Sequence, residues 1–361
     1  AVFMIVALAL AALPITTASA APLAAVGQRG TPTTATTANS SLVFSTLPSG
    51  VVAGDVMIVN IAQVGDDTTN PTSSGWTLIQ GALLRTGPGT TTDYRGAVLY
   101  KVAGASETPP TFTLGATVTS AVGAIVAFSG VDTSGATPFD VAPVAIVANT
   151  AGSTAVGATS ITTASANATV IMFGMAAGGN PTWSGWTTTS PGALTELYDA
   201  QVGTTASVGA AWATKASAGA TGAGAATLSV FNRNGGILIA LKPDTTPPTV
   251  TFDLQAASDS GTSNTDNLTN VASPVFDAVF SEAVTGFAFG DLSNIGTATG
   301  CTFAVGAPTG NTYPVTVSGC SEGTLIVRLA ASGVTDTVGL PNAQTDGPTV
   351  TIDRTALTNQ D

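Results

Sequence analysis

The chain has 361 residues, of which 9 are Lys or Arg, 21 are Asp or Glu and none is His, giving a formal net charge of -12. The missing imidazole excludes His-based triads, zincins and His–Asp dyads, though not an enzyme built on paired carboxylates. The shortage of cations argues against a nucleic-acid partner, and a hydrophobic share of 44% with only 8% charged residues excludes wholesale disorder.

Residues 1–20 read as a secretory signal, an apolar run from Ala1 to Ile15 followed by the A-x-A site Ala18-Ser19-Ala20. The run breaks at Pro14, short of the roughly 20 apolar residues of a spanning helix, so no stable membrane span is expected in the mature chain. A short buried segment and a retained anchor are the alternatives. Residues 21–41 form a Thr/Ala-rich leader or first strand.

Residues 42–243 alternate short apolar runs with Gly, Pro, Ser, Thr and Asn. Val56–Ile61, Ala97–Val102 and Ile125–Phe128 have strand length and composition, and no sustained helical period competes with them. The region also repeats itself. Asn70–Thr77 returns as Asn180–Thr187 at an offset of 110, the runs at Val56 and Ala97 return at 114, and that at Ile125 at 112. This predicts an all-β fold in which a large jelly-roll-like β-sandwich has internally related halves.

Of the four Trp residues, Trp76 and Trp186 occupy equivalent places after a Gly, which points to packing. Trp183 and Trp212 are the candidates for a sugar-binding platform, Trp183 being the one expected to be exposed. Asp66 and Asp67, with Asp93 or Glu107, could supply the carboxylate pair of a glycosidase, but nothing in the sequence brings them together.

Lys242–Pro248 is a stiff, extended boundary. Beyond it, residues 244–348 predict a second β module with strands over Thr249–Leu254, Val275–Phe280, Tyr313–Val317 and Leu325–Leu329, while residues 349–361 read as the start of a further linker or module. The acidity is concentrated here: 12 acidic and 2 basic residues from 244 onward, against 9 and 7 before. Cys301 and Cys320 predict a structural disulfide, the alternative being two buried thiols. The loop Ser258–Asn267 is made almost wholly of oxygen-bearing side chains. It suits Ca²⁺, which takes six to eight oxygens in a forgiving geometry, though Asp and Asn also favour turns for local reasons.

The stretches Asp244–Val250, Ser258–Asn270, Phe280–Phe287 with Asp291, and Thr335–Gly339 resemble the bacterial Ig-like domains that occur in tandem in surface adhesins and biofilm proteins. That resemblance implies an Ig-like β-sandwich and, as in several of its members, Ca²⁺ at module junctions. Carried over here, Asp244 and Asp353 would be junction acids with Asp259, Asp266 and Asp336 as partners. The sequence departs from the pattern at Leu340-Pro341-Asn342 and in its cysteine pair. The first region is similar to an uncharacterised sandwich type of exported bacterial proteins, through Ala53–Val56, Ser74–Thr77, Tyr100–Ala103 and Ala127–Asp132.

The function expected from these readings is non-catalytic: a secreted, extracellular structural or adhesive protein of the bacterial surface, which could also be a filament or layer subunit. Its partners would be copies of itself, other surface proteins or surface glycans. A carbohydrate-binding module is the first alternative and a secreted glycoside-active enzyme the second.

Overall fold

In the computed structural model, the described residues are 26–65, 69–84, 93–116, 118–178, 181–261 and 263–355. The segment read as a signal, 1–20, lies outside them, as do Asp66 and Asp67. The chain is all-β and sandwich-like, and no helix among the described residues is long and apolar enough to cross a membrane.

The first region supplies β1 (Gly27–Gln28), β2 (Thr33–Thr37), β3 (Ser41–Val43), β4 (Val56–Val64), β5 (Thr77–Leu83), β6 (Tyr94–Val102), β7 (Thr111–Thr113) and β8 (Ser120–Ser129). Its related half supplies β9 (Val147–Ala158), β10 (Thr162–Thr163), β11 (Ala168–Ala177), β12 (Trp183–Thr187), β13 (Thr195–Val202), β14 (Ala206–Lys215), β15 (Gly219–Ala220) and β16 (Gly224–Leu241). The Thr/Ala-rich leader thus contains a strand. Two 6-stranded antiparallel sheets result. In the first the order is β1-β8-β4-β6-β5 with β2 also on β8; in the second it is β12-β16-β11-β14-β13 with β9 also on β16.

The central strands are buried along their whole length, and the layering explains why. On β4, Val56, Ile58 and Ala62 enter a core shared with Ile171, Phe173 and Met175 of β11. Met57, Val59 and Ile61 point the other way, into a core closed by Leu42 of β3 and Phe112 of β7. On β11, Val170 and Met172 likewise face an outer core with Ile161, Trp183 and Trp186. Each principal sheet is covered on both faces, so its central strands read as unbroken apolar runs. At roughly 25 cal/mol per Å² of apolar area, this burial is the main favourable term in the fold. The sheets stack with their orders reversed, β13 over β8 and β2, β5 over β9.

The end of β16 fixes where the second module begins. The Asp132 amide donates to the Lys242 carbonyl at 2.9 Å and the Asp244 amide to the Gly130 carbonyl at 3.0 Å. The boundary segment therefore starts bridged to the first region, Pro243 lying opposite Val131.

The second module contains β17 (Val250–Leu254), β18 (Leu268–Thr269), β19 (Val275–Phe280), β20 (Val284–Thr285), β21 (Leu292–Asn294), β22 (Thr302–Val305), β23 (Thr312–Ser318), β24 (Gly323–Leu325), β25 (Val327–Leu329), β26 (Thr335–Asp336), β27 (Thr345–Asp346) and β28 (Val350–Ile352). Its main sheet runs β17-β19-β23-β22, and a core including Phe252, Phe276, Val315, Val327 and Ile352 lies under it. Cys301 and Cys320 form a disulfide. The strand expected to open a further module, β28, instead pairs with β18 and β24. Val350 and Ile352 are buried in this module's own core, which is the physical reason for the difference.

A candidate cation site between the modules

Three carboxylates converge where the boundary segment meets the second module. Asp244 stands on that segment, Glu282 follows β19, and Asp336 ends β26; one oxygen of each lies within 4.8 Å of the others. Asp244 and Glu282 line a cavity of about 440 Å³ whose other walls come from both regions, Ala53–Asp55 and Gly130–Ser134 on one side and Ser281, Asn311 and Thr337 on the other.

Local backbone chemistry sets each position. Asp336 is 2% exposed, and its Oδ1 accepts the amides of Val338 and Leu340, each at 2.8 Å, closing the turn after β26. Its Oδ2 is buried with no hydrogen-bond partner. A buried carboxylate oxygen left bare is costly unless a cation or proton meets it. Asp244 accepts the Thr246 amide at 3.0 Å. Glu282 is placed by Ser281, whose hydroxyl accepts the Thr249 amide at 3.0 Å and whose own amide donates to the Thr249 carbonyl.

The neighbouring acids in the cavity wall are already neutralised. Asp55 is held by Arg29 at 2.9 Å and Asp132 by Lys242 at 2.6 Å. Burial works against ionisation of Asp132, but Lys242 and Ser134 outweigh it and hold its carboxyl below the usual range. The converging three respond differently. Burial, then repulsion from Asp244, Asp336 and Asp132, pushes Glu282 up to about 7. Burial also raises Asp244, aided by Asp336 and Asp132 and only partly opposed by Thr246 and Lys242. Negative charge is thus in excess at this one place.

The donor set fits a hard divalent ion. All the ligand atoms are oxygens, and their separations leave a point within about 2.8 Å of all three, close to the 2.3–2.6 Å of Ca²⁺–oxygen bonds. Waters and backbone carbonyls commonly complete such a shell.

Of the five acids expected as metal ligands, the structure brings Asp244 and Asp336 together and adds Glu282, which sequence reasoning missed. Asp259, Asp266 and Asp353 lie elsewhere, around the loop after β17 and the end of β28. Asp259 accepts the Asn267 and Leu268 amides at 3.1 and 3.3 Å, and Asp266 accepts those of Ser263 and Leu268 at 3.1 and 3.2 Å. Asp353 accepts the Thr355 amide at 2.9 Å. Their oxygens serve the loop's own backbone.

The exposure expected of Trp183 is corrected. It is 4% exposed, donates from Nε1 to Ser207 at 2.7 Å and stacks on Trp186 with centroids 5.3 Å apart. The room comes from two glycines: a Cβ at Gly174 or Gly209 would fall 2.3 or 2.7 Å from its indole. Trp212 packs edge-on against Phe128 at 5.7 Å, beside the core between the sheets. Neither forms an open platform. Trp76 packs on Phe112 at 5.2 Å. Glu107 pairs with Lys101 at 2.6 Å; burial opposes its ionisation, but the Gly104 amide and Lys101 hold it below the usual carboxylate range. Asp93 exchanges backbone hydrogen bonds with Gly65.

A groove of about 670 Å³ opens beside the disulfide along β21 and β22, but the residues lining it, among them Phe289, Leu292, Asn294 and Phe303, include no acidic or basic side chain. No protein-family model, curated protein or solved structure matches this chain.

Proposed function

We propose that this chain is a non-catalytic extracellular structural or adhesive protein, its two β modules held at a set angle by Ca²⁺ bound between Asp244, Glu282 and Asp336. The observation that carries the reading is the bare, buried Oδ2 of Asp336 beside two further carboxylates. Asp244 hydrogen-bonds to Gly130 of the first region through its amide, so an ion gripping its carboxylate would tie that region to the second module. The disulfide supports an oxidising compartment, as does the apolar A-x-A leader. Sparse surface charge suits contact with copies of the chain, other surface proteins or surface glycans.

The test is calorimetric titration of the chelator-treated protein with CaCl₂, paired with small-angle scattering in Ca²⁺ and in chelator. Saturable binding, lost in Asp336→Asn, and a narrower range of inter-module distances with Ca²⁺ are expected. No binding heat together with identical scattering curves overturns the proposal.

A further inference from the structure

The two related halves provide a comparison inside one chain. β5 and β13 are counterparts: each is the outermost strand of its sheet, and each carries a bulge at the same place. In β5 the bulge skips Ile79 between Leu78 and Gln80; in β13 it skips Leu197 between Glu196 and Tyr198. Both skipped residues pack on the central core. Counting outward from the bulge, Leu78 corresponds to Glu196, Gly81 to Asp199 and Leu83 to Gln201.

The outer positions therefore differ in chemistry while the fold around them is shared. β13 carries Glu196, Asp199 and Gln201 at exposed positions, Glu196 also accepting from Trp186 Nε1 and Asp199 from the Trp183 amide, each at 3.0 Å. β5 presents Leu78 and Leu83, each 40% exposed, and has no charged residue between Thr77 and Leu83. Charged side chains are how natural sheets guard an open edge against pairing. One edge of this sandwich is guarded and its counterpart is not. Among the described residues, no backbone hydrogen bond crosses the outer side of β5.

We infer that β5 is a pairing edge for a second copy of this chain, the two β5 strands running antiparallel about a two-fold axis so that the first sheets of both copies become one. Charge selects the occupant. The uncharged strand is compatible with itself, and the first region holds 9 acidic and 7 basic residues, so copies meet there almost without repulsion. Meeting through the second module, with 12 acidic and 2 basic residues, they would not. Pairing of the two strands continues the exposed face that carries Leu78 and Leu83 from one copy into the other. Two-fold contacts use the same patch twice, and strand addition satisfies the open backbone groups. The inference names a partner for the structural role proposed above and rests on that reading; the joint and the edge are separate surfaces and can fail separately.

Sedimentation velocity of the whole chain across the micromolar range, with Ca²⁺ and with chelator, tests it. A concentration-dependent dimer is expected in both buffers. Leu78→Glu, which installs the counterpart residue of β13, should raise the dimer dissociation constant about thirtyfold, and Leu83→Gln should raise it less. Because Leu78→Glu could impair folding, hydrogen exchange on the unaltered chain supplies a second readout: amides of Thr77–Leu83 should exchange more slowly as concentration rises. A monomer at every concentration, or a dimer indifferent to both variants with β5 unprotected, overturns the pairing. A monomer that still binds Ca²⁺ overturns it and leaves the joint intact.

Discussion

Asn60 of β4 donates to the carbonyl of Gly174 on β11 at 2.9 Å, across 114 residues of chain. That separation equals the repeat offset, so the residue reaches over to its own counterpart in the other half. The same amide lies 3.4 Å from the Gly209 carbonyl, and the side chain is fully buried.

Asn60→Ala removes this donor from the plane where the two sheets meet and leaves a small void. A loss of about 2–3 kcal/mol is expected, measured by urea unfolding. Asn60→Asp, which replaces the donor facing these carbonyls with a carboxylate that can only accept once ionised, should cost more at pH 7 than at pH 4. Equal losses at both pH values would count against the assigned amide orientation.

Without divalent ions, stability should fall as pH rises from about 4.5 to about 7. The folded state holds a proton on Glu282, pushed up to about 7 by burial and then by its acidic neighbours, while the unfolded chain has released it. Its stabilising share is complete below the ordinary Glu value and is lost as pH climbs through 7. Asp244, raised for the same reasons, adds in the same direction. Asp132, held low by Lys242 and Ser134, contributes with the opposite sign, in the acid range below the usual Asp value. Thermal melts in chelator between pH 5 and 8 check this, with Glu282→Gln flattening the profile. A melting temperature that rises over this interval contradicts the assignment.

Gly174→Ala forces a methyl into the Trp183 indole, from which it would stand 2.3 Å. Overpacking of this kind typically costs about 1–3 kcal/mol. In a Trp183→Phe background the penalty should shrink, because the smaller ring leaves room. A double-mutant cycle by denaturant unfolding reads the coupling, and additive effects would show that the two residues do not compete for the same space.

The disulfide closes a loop with a sequence separation of 19, for which the chain-entropy relation gives about 3 kcal/mol. Both cysteines belong to the core of the second module, which shares no buried residue with the cores of the first region. Calorimetry of Cys301→Ala/Cys320→Ala should therefore show one transition moved down and the other nearly unchanged. A uniform shift of both would mean that the regions unfold as one unit.

Much of the fold was legible because burial on both faces leaves strands such as Val56–Val64 as continuous apolar runs, and because the second half repeats them. The cysteine pair was equally plain. Glu282 was not, since it sits in a turn among apolar residues and meets Asp336 only through the β20–β26 pairing. The burial of Trp183 did have a signal in the sequence: Gly174 and Gly209 interrupt otherwise apolar strands, and glycine there marks a close approach. The loop around Asp259 and Asp266 left both readings open, because oxygen-rich composition suits a cation and a network of turns equally well.

Covering both principal sheets on both sides has an outcome for how such a molecule can be used. Neither of those two sheets keeps an open face to lay against a target; among their described residues, what remains are rims and seams. Contacts of that kind are narrow and directional, and a two-fold pairing through one rim closes at two copies.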